Sequence, residues 1–210
     1  MKFVLASASP RRIELLQQLG FRLATDFSVQ AAGIDESPLP GEAPRDYVRR
    51  MAIEKARTVC ERLRADAPGR NVILPPVLAA DTSVVIDGII HGKPRDQAQA
   101  VAMLHSLSGR SHHVLSAVAV CAPSGQSLEQ DYRLSETRVW FTDLNDNDCQ
   151  RYWATGEPAD KAGAYAIQGR GGAFVRSIEG SYSGAVGLPL VETLELLQKF
   201  GVGCWDALPP

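Results

Sequence analysis

The beginning of the chain carries residues of the types and order found in anion-binding sites. The segment Ser7-Ala8-Ser9-Pro10-Arg11-Arg12 follows a short apolar run, and Ser9 before Pro10 predicts the N-terminus of a helix. The free N–H groups and positive dipole end of such a helix attract an anion, and two arginines add bidentate donors for phosphate oxygens. In the alternative interpretation, Ser9 only caps the helix and both arginines are solvated.

A second charged group lies in the middle of the chain. Asp81 directly follows the apolar residues 77–80, where the end of a central strand would place a carboxylate at a cleft. Such a carboxylate can orient a metal ion or deprotonate water. The pair Asp87-Gly88 between apolar runs predicts a hairpin, whose return strand would bring Lys93 back toward Asp81. Asp81 alone could be only a turn residue, but the nearby lysine favours a site.

Two more charged residues complete a set of two acids and several cations. Glu36 lies in a predicted loop and Lys55 on or beside the apolar face of a predicted helix. Magnesium typically takes one or two carboxylates together with substrate phosphates and water, so Glu36 and Asp81 would suffice to hold Mg²⁺ or Mn²⁺. Each residue taken alone could equally be a solvated surface group. The histidines lack a convincing ligand spacing and receive no catalytic role; they are His91, His105, His112 and His113.

A glycine-rich segment, residues 156–172, is the last candidate for ligand binding. Its glycines allow the backbone to approach a ligand closely, but it lacks the GxxxxGK[ST] pattern of a P-loop. Gln168 offers both a donor and an acceptor, which suits the edge of a pyrimidine base. The alternative is a flexible loop without a binding role.

The elements that must position these residues alternate between helical and strand periodicity, which predicts a mixed α/β fold with a cleft between lobes. Helices are expected at about residues 44–64 and 96–107, and two long β-rich runs at 113–121 and 128–141. Alternation over residues 21–29 favours a half-buried strand. A break is expected at Pro68-Gly69, and a last helix near the C-terminus.

Composition favours a single soluble domain that acts on a small molecule. The chain has 210 residues, 45% of them hydrophobic, and a net charge of -2, which gives no long-range attraction to nucleic acid or anionic membranes. No signal peptide or membrane span is expected, because the apolar runs are too short. The four cysteines contain no CxxC pair and are expected to be reduced packing residues. Residues 1–203 are expected to form one domain, and residues 204–210 a frayed tail.

Several motifs taken in order resemble the Maf family of nucleotide pyrophosphatases, and the likeness spans nearly the whole chain. They are Ser7-Ala8-Ser9-Pro10-Arg11-Arg12, Glu54-Lys55-Ala56, Ala80-Asp81-Thr82, Gly92-Lys93-Pro94, Leu107-Ser108-Gly109, residues 156–169, Gly180-Ser181-Tyr182 and Val186-Gly187-Leu188-Pro189-Leu190.

This resemblance implies hydrolysis of a nucleoside triphosphate to its monophosphate and pyrophosphate with a divalent metal, by a cytoplasmic homodimer. It also implies an elongated α/β fold with flanking helices, a mixed sheet and a central cleft, related to the inosine triphosphate pyrophosphatases. Carried over to this sequence, Asp81 resembles the proton acceptor and Glu36 lies near the metal. Lys55, Lys93 and the segment with Ser9, Arg11 and Arg12 would bind the triphosphate. Arg12, Thr82 and Gln168 resemble the specificity positions of the branch that acts on dTTP and UTP.

Two alternatives remain open from the sequence. The first is a nucleotide-binding regulator of cell division and septum formation without useful catalysis. The second is a house-cleaning enzyme for modified pyrimidine nucleotides such as 5-methyl-UTP or pseudo-UTP, because the base edges differ little at the position that Gln168 would contact.

Overall fold

The fold is a mixed α/β arrangement, obtained as a computed structural model that describes residues 1–67 and 73–204. The helices are α1 (Pro10–Gln18), α2 (Pro44–Ala65), α3 (Gln97–Leu107), α4 (Asp146–Trp153), α5 (Tyr182–Val186) and α6 (Leu190–Lys199). The strands are β1 (Phe3–Leu5), β2 (Phe27–Val29), β3 (Val77–Ile86), β4 (Ile89–His91), β5 (Ser111–Ser124), β6 (Ser127–Phe141) and β7 (Val175–Glu179). Short 3-10 helices span Glu157–Asp160, Ala162–Ala164 and Arg170–Phe174.

The strands form one mixed sheet in the order β2-β1-β3-β5-β6-β7, with β4 also paired to β3. Strand β1 is parallel to both β2 and β3, whereas the remaining pairs are antiparallel. The parallel part includes the buried strand–helix unit at the start of the chain, and the antiparallel part is built from the two hairpins. The predicted fold class, a mixed sheet with flanking helices, is therefore confirmed.

Core packing divides the molecule into two lobes that share strand β3. Alternate residues of β3 face opposite sides of the sheet: Leu78 packs in the core beneath α1 and α6, and Ala79 in the core beneath α2. Further along the same strand, Val84 and Ile86 pack in a third core with α3 and α4. Strand β3 therefore passes from one lobe into the other, and residues 81–83 lie at the junction.

One edge of β3 is open at this junction. Strand β5 pairs with β3 continuously from Val77 to Val85. On the opposite edge, β1 pairs at Val77 and Leu78, and β4 pairs only from Val84 onward. No described strand pairs with the stretch between them along this edge. The open stretch leaves room for a cleft between the lobes, with Asp81 at its centre.

Most of the predicted elements form where the sequence places them. The hairpin turn has Asp87 at φ 52° and Gly88 at φ 75°, the positive values that a two-residue turn of this kind requires. The strand expected over residues 21–29 was wrong for its first half, since only Phe27–Val29 pairs with β1. The preceding residues form a turn, because the Asp26 carboxylate accepts hydrogen bonds from the N–H and Nε of Arg22 at 2.9 and 3.0 Å. The Pro68-Gly69 break lies outside the described residues.

The four cysteines are buried thiols that pack in the interior, as the sequence predicts. Cys204 belongs to the core beneath α1 and α6, and its Sγ lies 2.9 Å from the carbonyl oxygen of Leu19. The predicted frayed tail therefore does not include Cys204, and its residues 205–210 lie outside the described residues. Within the described part of the chain, the helices are too short or too polar to cross a membrane.

His112 is an imidazole enclosed in the core of the second lobe. It is 1% exposed, whereas its neighbour His113 faces the other side of β5 and is half-buried. The Nε2 atom lies 2.8 Å from the hydroxyl of Tyr165, and the ring packs edge-on against Phe141. Burial, with smaller contributions from His113 and His91, lowers the pKa of His112 to about 3.

We expect His112 to make the protein less stable in mild acid. Between the folded pKa of about 3 and an unfolded value of about 6.5, the unfolded chain binds more protons. The free energy of unfolding therefore falls as pH falls through this range, by up to about 1.4 kcal/mol per pH unit. Urea denaturation from pH 7 to pH 4 should give a free energy of unfolding that depends less steeply on pH in His112→Gln than in the parent protein. Equal pH dependence of the free energy of unfolding in the two proteins would contradict the prediction.

Candidate functional site

A cavity of about 620 Å³ lies along the open edge of β3. This volume lies within the range of sites that enclose small molecules. The segment that enters α1, the loop before α2, strand β3, and residues 160–168 and 185–187 line it. All of the site residues predicted from the sequence are among its lining residues: Ser9, Arg11, Arg12, Glu36, Lys55, Asp81, Thr82, Lys93 and Gln168.

Lys55 joins the two predicted acids of the site. Its ammonium Nζ lies 2.7 Å from Oδ1 of Asp81 and 2.9 Å from Oε1 of Glu36. Lys55 and Asp81 are only 7% and 6% exposed, whereas the Glu36 side chain is 57% exposed. A buried ammonium with a buried carboxylate forms a charge-assisted hydrogen bond that water screens weakly. A buried carboxylate and an exposed one therefore meet at the Lys55 ammonium in the cleft.

The pleat of β3 decides which helix each site residue faces. Asp81 shares the face of Ala79, which packs beneath α2, and α2 carries Lys55. Thr82 shares the opposite face with Ala80 and lies toward α1. Because no strand among the described residues pairs with this edge of β3 here, both side chains reach the cavity from opposite faces of one strand.

Arg12 links the start of α1 to the segment that follows α5. Its Nε donates to the carbonyl oxygen of Gly187 at 2.9 Å, and its Nη1 donates to Ser7 Oγ at 3.0 Å. Burial lowers the pKa of Arg12, and the negative charge of Asp81 opposes that shift. With two of its donors engaged, the guanidinium is held in one orientation beside the cavity, and its remaining N–H groups are available to an anion.

Thr82 belongs to a short network of hydroxyl groups on the same side of the sheet. Its Oγ1 lies 2.8 Å from Oγ of Ser116, the residue opposite it on β5. Ser116 Oγ donates to the carbonyl oxygen of Gly184 at 2.7 Å, so the Thr82 hydroxyl donates to Ser116, and Thr82 Oγ1 lies 3.4 Å from the carbonyl oxygen of Gly187. Helix α5 is therefore tied to β3 through these contacts.

Ser9 does not act only as a helix cap. It occupies the N-cap position of α1 with Pro10 at the first helical position, but its side chain makes no capping hydrogen bond. Its N–H is directed to Ser7 Oγ at 3.3 Å. The interpretation in which Ser9 serves solely as a cap is therefore not supported, and its hydroxyl lines the cavity.

Helix α2 also fixes the loop that carries Glu36. The Tyr47 hydroxyl donates to the carbonyl oxygen of Glu36 at 2.8 Å, and burial, followed by the charges of Asp81 and Glu36, raises the pKa of Tyr47 to about 12. Arg50 donates to the carbonyl oxygen of Ser37 at 3.1 Å. One helix thus supplies Lys55 and positions Glu36, although these residues are far apart in the chain.

Several residues at the cleft were not assigned a role from the sequence. Asp160 lies beside Arg11: burial lowers the pKa of Arg11, and the charge of Asp160 opposes that effect. Lys161 and Tyr165 also line the cavity. They belong to the glycine-rich segment that the sequence singled out, but only Gln168 had a local chemical reason to be chosen there. The Ser116 contact depends on strand register, which sequence periodicity does not give.

The two carboxylates are the protein groups best suited to a divalent cation. Within residues 1–67 and 73–204, no group of three or more His, Cys, Asp or Glu side chains has a metal-binding arrangement. Carboxylate oxygens are the donors that Mg²⁺ and Mn²⁺ prefer, and those of Glu36 and Asp81 converge through Lys55. The donor set therefore fits a hard cation that would share its ligands between protein and substrate.

Comparison with known protein families matches residues 2–200 to the family described as Maf-like protein. The chain is 51% identical over 203 residues to a dTTP/UTP pyrophosphatase of Shewanella sp. (strain MR-7), with 96% of this chain and 100% of that protein covered. It is 49% identical over 205 residues to the dTTP/UTP pyrophosphatase of Hahella chejuensis, with 98% and 95% covered. The protein of the same name from Shewanella denitrificans is 52% identical over 198 residues, with 94% and 95% covered.

We expect Lys55→Met to lower the free energy of unfolding by about 3 kcal/mol, because it leaves the buried Asp81 carboxylate without its ammonium partner. Adding Asp81→Asn to that variant should recover part of the loss, since the uncompensated charge is removed. Urea denaturation in the presence of a chelator measures both changes. A Lys55→Met protein as stable as the parent, or a double variant less stable than Lys55→Met, would contradict this account.

Proposed function

The chain belongs to the Maf-like family, and on that premise we propose that it hydrolyses dTTP and UTP to the nucleoside monophosphate and pyrophosphate. The observation that carries the proposal is the cleft itself. It combines a carboxylate held by a buried lysine, Asp81 with Lys55, and an oriented guanidinium, that of Arg12. The names of the similar proteins support the same reaction and the same two substrates.

In the proposed reaction, Asp81 accepts a proton from the water that attacks the α-phosphorus. A bond forms between the water oxygen and phosphorus, the bond to the bridging oxygen breaks, and pyrophosphate leaves with the electron pair. The Lys55 ammonium contacts Oδ1 of Asp81, so Oδ2 would take the proton. Fixing the carboxylate in this way reduces the reorganisation needed at the moment of reaction.

The cations around the cleft would bind the triphosphate. Arg11 and Arg12 flank the start of α1, and Lys93 lines the cavity at the end of the hairpin. The first turn of α1 adds the positive end of a helix dipole. Because the triphosphate repels an approaching nucleophile, this neutralisation would lower the barrier as well as support binding.

Glu36 and Asp81 would hold Mg²⁺ or Mn²⁺ together with the phosphates. A divalent cation bound there would neutralise negative charge on the phosphoryl oxygens. The Lys55 ammonium would keep the two carboxylates directed to the same point, and the hydrogen bond from Tyr47 to the Glu36 backbone would hold the loop in place.

Selection of the base would depend on Gln168, with Arg12 and Thr82 shaping the neighbouring wall of the cleft. The Gln168 amide can donate and accept, which matches the adjacent carbonyl and N–H groups of uracil and thymine. Modified pyrimidine nucleotides that keep this edge would enter the same site, which is consistent with a house-cleaning role. A purely regulatory role is not favoured, because the similar proteins are named for hydrolysis. The homodimer and the cytoplasmic location stay predictions.

Asp81→Asn should lower kcat for dTTP and UTP by about 10²–10⁴-fold. At saturating magnesium or manganese it should leave nucleotide binding largely intact, because asparagine can still accept from Lys55 but cannot take the proton. The measurement is release of monophosphate and pyrophosphate across dTTP, UTP, CTP, 7-methyl-GTP and ITP with magnesium or manganese. Asp87→Asn, at the hairpin tip where Asp87 pairs with Arg110, is the matched control. Near-normal turnover by Asp81→Asn would remove it from this role, and binding without turnover by the parent protein would favour the regulatory alternative.

Glu36→Gln should weaken manganese binding in the presence of nucleotide by about 10-fold or more, because one of two carboxylate ligands loses its charge. Electron paramagnetic resonance of free Mn²⁺ measures binding directly, independently of turnover. Glu61→Gln, a change on the exposed face of α2 where Glu61 pairs with Arg57, should leave the affinity unchanged. Equal manganese affinity in the parent protein and Glu36→Gln would contradict the proposed metal site.

A further inference from the structure

The turn that carries Gln168 is held at both ends by a carboxylate and a phenol that lie behind it. Glu157 Oε2 accepts a hydrogen bond from the N–H of Arg170 at 3.0 Å, and Oε1 accepts one from the N–H of Gly171 at 3.0 Å. The N–H of Ala166, on the other side of Gln168, donates to the hydroxyl of Tyr152 at 3.0 Å. Gln168 is thus bracketed by three fixed N–H groups.

The two anchoring side chains form one continuous unit. The Tyr152 hydroxyl donates to Glu157 Oε1 at 2.7 Å, so it is an acceptor toward the turn and a donor toward the carboxylate. The Tyr152 ring is buried and packs edge-on against Phe174 at 5.0 Å between centroids. Glu157 begins the 3-10 helix that follows α4, and its N–H is directed to Thr155 Oγ1 at 3.3 Å. We call Glu157 and Tyr152 the turn clamp.

The turn clamp requires glycine where the backbone crosses it. A Cβ on Gly169 would lie 2.5 Å from an oxygen of the Glu157 carboxylate, and one on Gly171 would lie 2.5 Å from the Tyr152 hydroxyl oxygen. Such distances are too short for any side chain to be accepted without movement. The glycines of this segment are therefore explained by contact with the turn clamp behind the turn, in addition to any approach of a ligand in front of it.

The charge of Glu157 fits this arrangement. Burial is the largest single influence on the Glu157 carboxyl and raises its pKa, but the hydrogen bonds from Tyr152, Gly171 and Arg170 together lower the pKa below its usual value. An ionised carboxylate can accept from all three donors at once. Glutamine would turn an NH₂ group toward at least one N–H donor, so the turn could no longer keep the same backbone contacts.

We propose that Glu157 is a positioning residue for base selection. Through the turn clamp, it fixes the position from which Gln168 faces the cleft. This inference rests on the proposed function, in which Gln168 contacts the base. The same acidic residue begins the 3-10 helix that brings Asp160 and Lys161 to the cavity. Glu157 thus connects the wall beside Arg11 with the turn that carries Gln168, and it is not among the residues that line the cavity.

The test is a double-variant comparison of UTP and CTP hydrolysis, since these nucleotides differ at the base edge. Glu157→Gln should raise KM for UTP by about 10-fold and lower the preference for UTP over CTP by a similar factor, the effect of one misplaced hydrogen bond. kcat should change by less than about 3-fold, because Asp81 and Lys55 lie elsewhere. In a Gln168→Ala background, Glu157→Gln should cause no further loss of preference.

Tyr152→Phe supplies a second route to the same result, because it keeps the ring packing against Phe174 but removes both hydroxyl contacts. It should reduce the preference for UTP in the same direction, even if Glu157→Gln fails to fold. Glu129→Gln, an exposed change on β6, is the matched control and should leave KM, kcat and the preference unchanged.

The outcomes separate the inference from the function on which it rests. If Gln168→Ala loses the preference for UTP while the Glu157 and Tyr152 variants retain it, the positioning role is overturned and the role of Gln168 stands. If both turn-clamp variants lower the thermal midpoint but leave KM and the preference unchanged, Glu157 is only structural and the inference is overturned. If Gln168→Ala retains the preference, the proposed base contact falls and the inference falls with it.

Discussion

The open edge of strand β3 is the constraint on which the rest of the structure depends. Strand β1 ends its pairing at Leu78 and β4 begins at Val84, while β5 supports the other edge throughout. A central strand normally buries both edges, and its side chains then serve only the core. Here the strand remains rigid, because one neighbour is continuous, yet Asp81 and Thr82 are accessible. The unpaired stretch of β3 thus provides a cleft next to a rigid strand, and side chains on a strand are positioned more precisely than side chains on loops.

Several charges of the cleft are paired before any ligand binds. Lys55 lies between Asp81 and Glu36, and the negative charge of Asp160 acts on Arg11. Such pairing lowers the cost of burying ionised groups, which is large when they are uncompensated. It also means that a triphosphate and its cation would enter a site that already contains both signs of charge. Contacts within the protein hold these charged side chains in place, among them the hydrogen bonds that fix the Arg12 guanidinium.

The loops at the cleft are positioned from outside it. Helix α2 holds the Glu36 loop through Tyr47 and Arg50, and Glu157 with Tyr152 holds the turn that carries Gln168. In both cases a side chain on or next to a helix binds backbone groups of the loop, so the loop backbone is satisfied without belonging to a sheet. The side of the cleft with Glu36 and the side with Gln168 therefore have separate supports, which permits one to vary without loss of the other.

The sequence by itself determined most of the elements and the candidate site residues, because helical periodicity, the Asp87-Gly88 turn and the Ser9-Pro10 helix start are local signals. The ordered motifs also identified Asp81, Lys55 and Gln168 together. Tertiary structure decided what local signals do not contain: that β3 is open beside Asp81, that alternate residues of that strand meet α2 and α1, and that Ser116 and Gly187 adjoin Thr82. A turn replaces the first half of a predicted strand because the Asp26 carboxylate accepts a hydrogen bond from the backbone N–H of Arg22, which periodicity does not indicate. Sequence periodicity indicates on which face of a helix or strand a residue lies, whereas strand register and the packing of distant segments determine which residue it contacts.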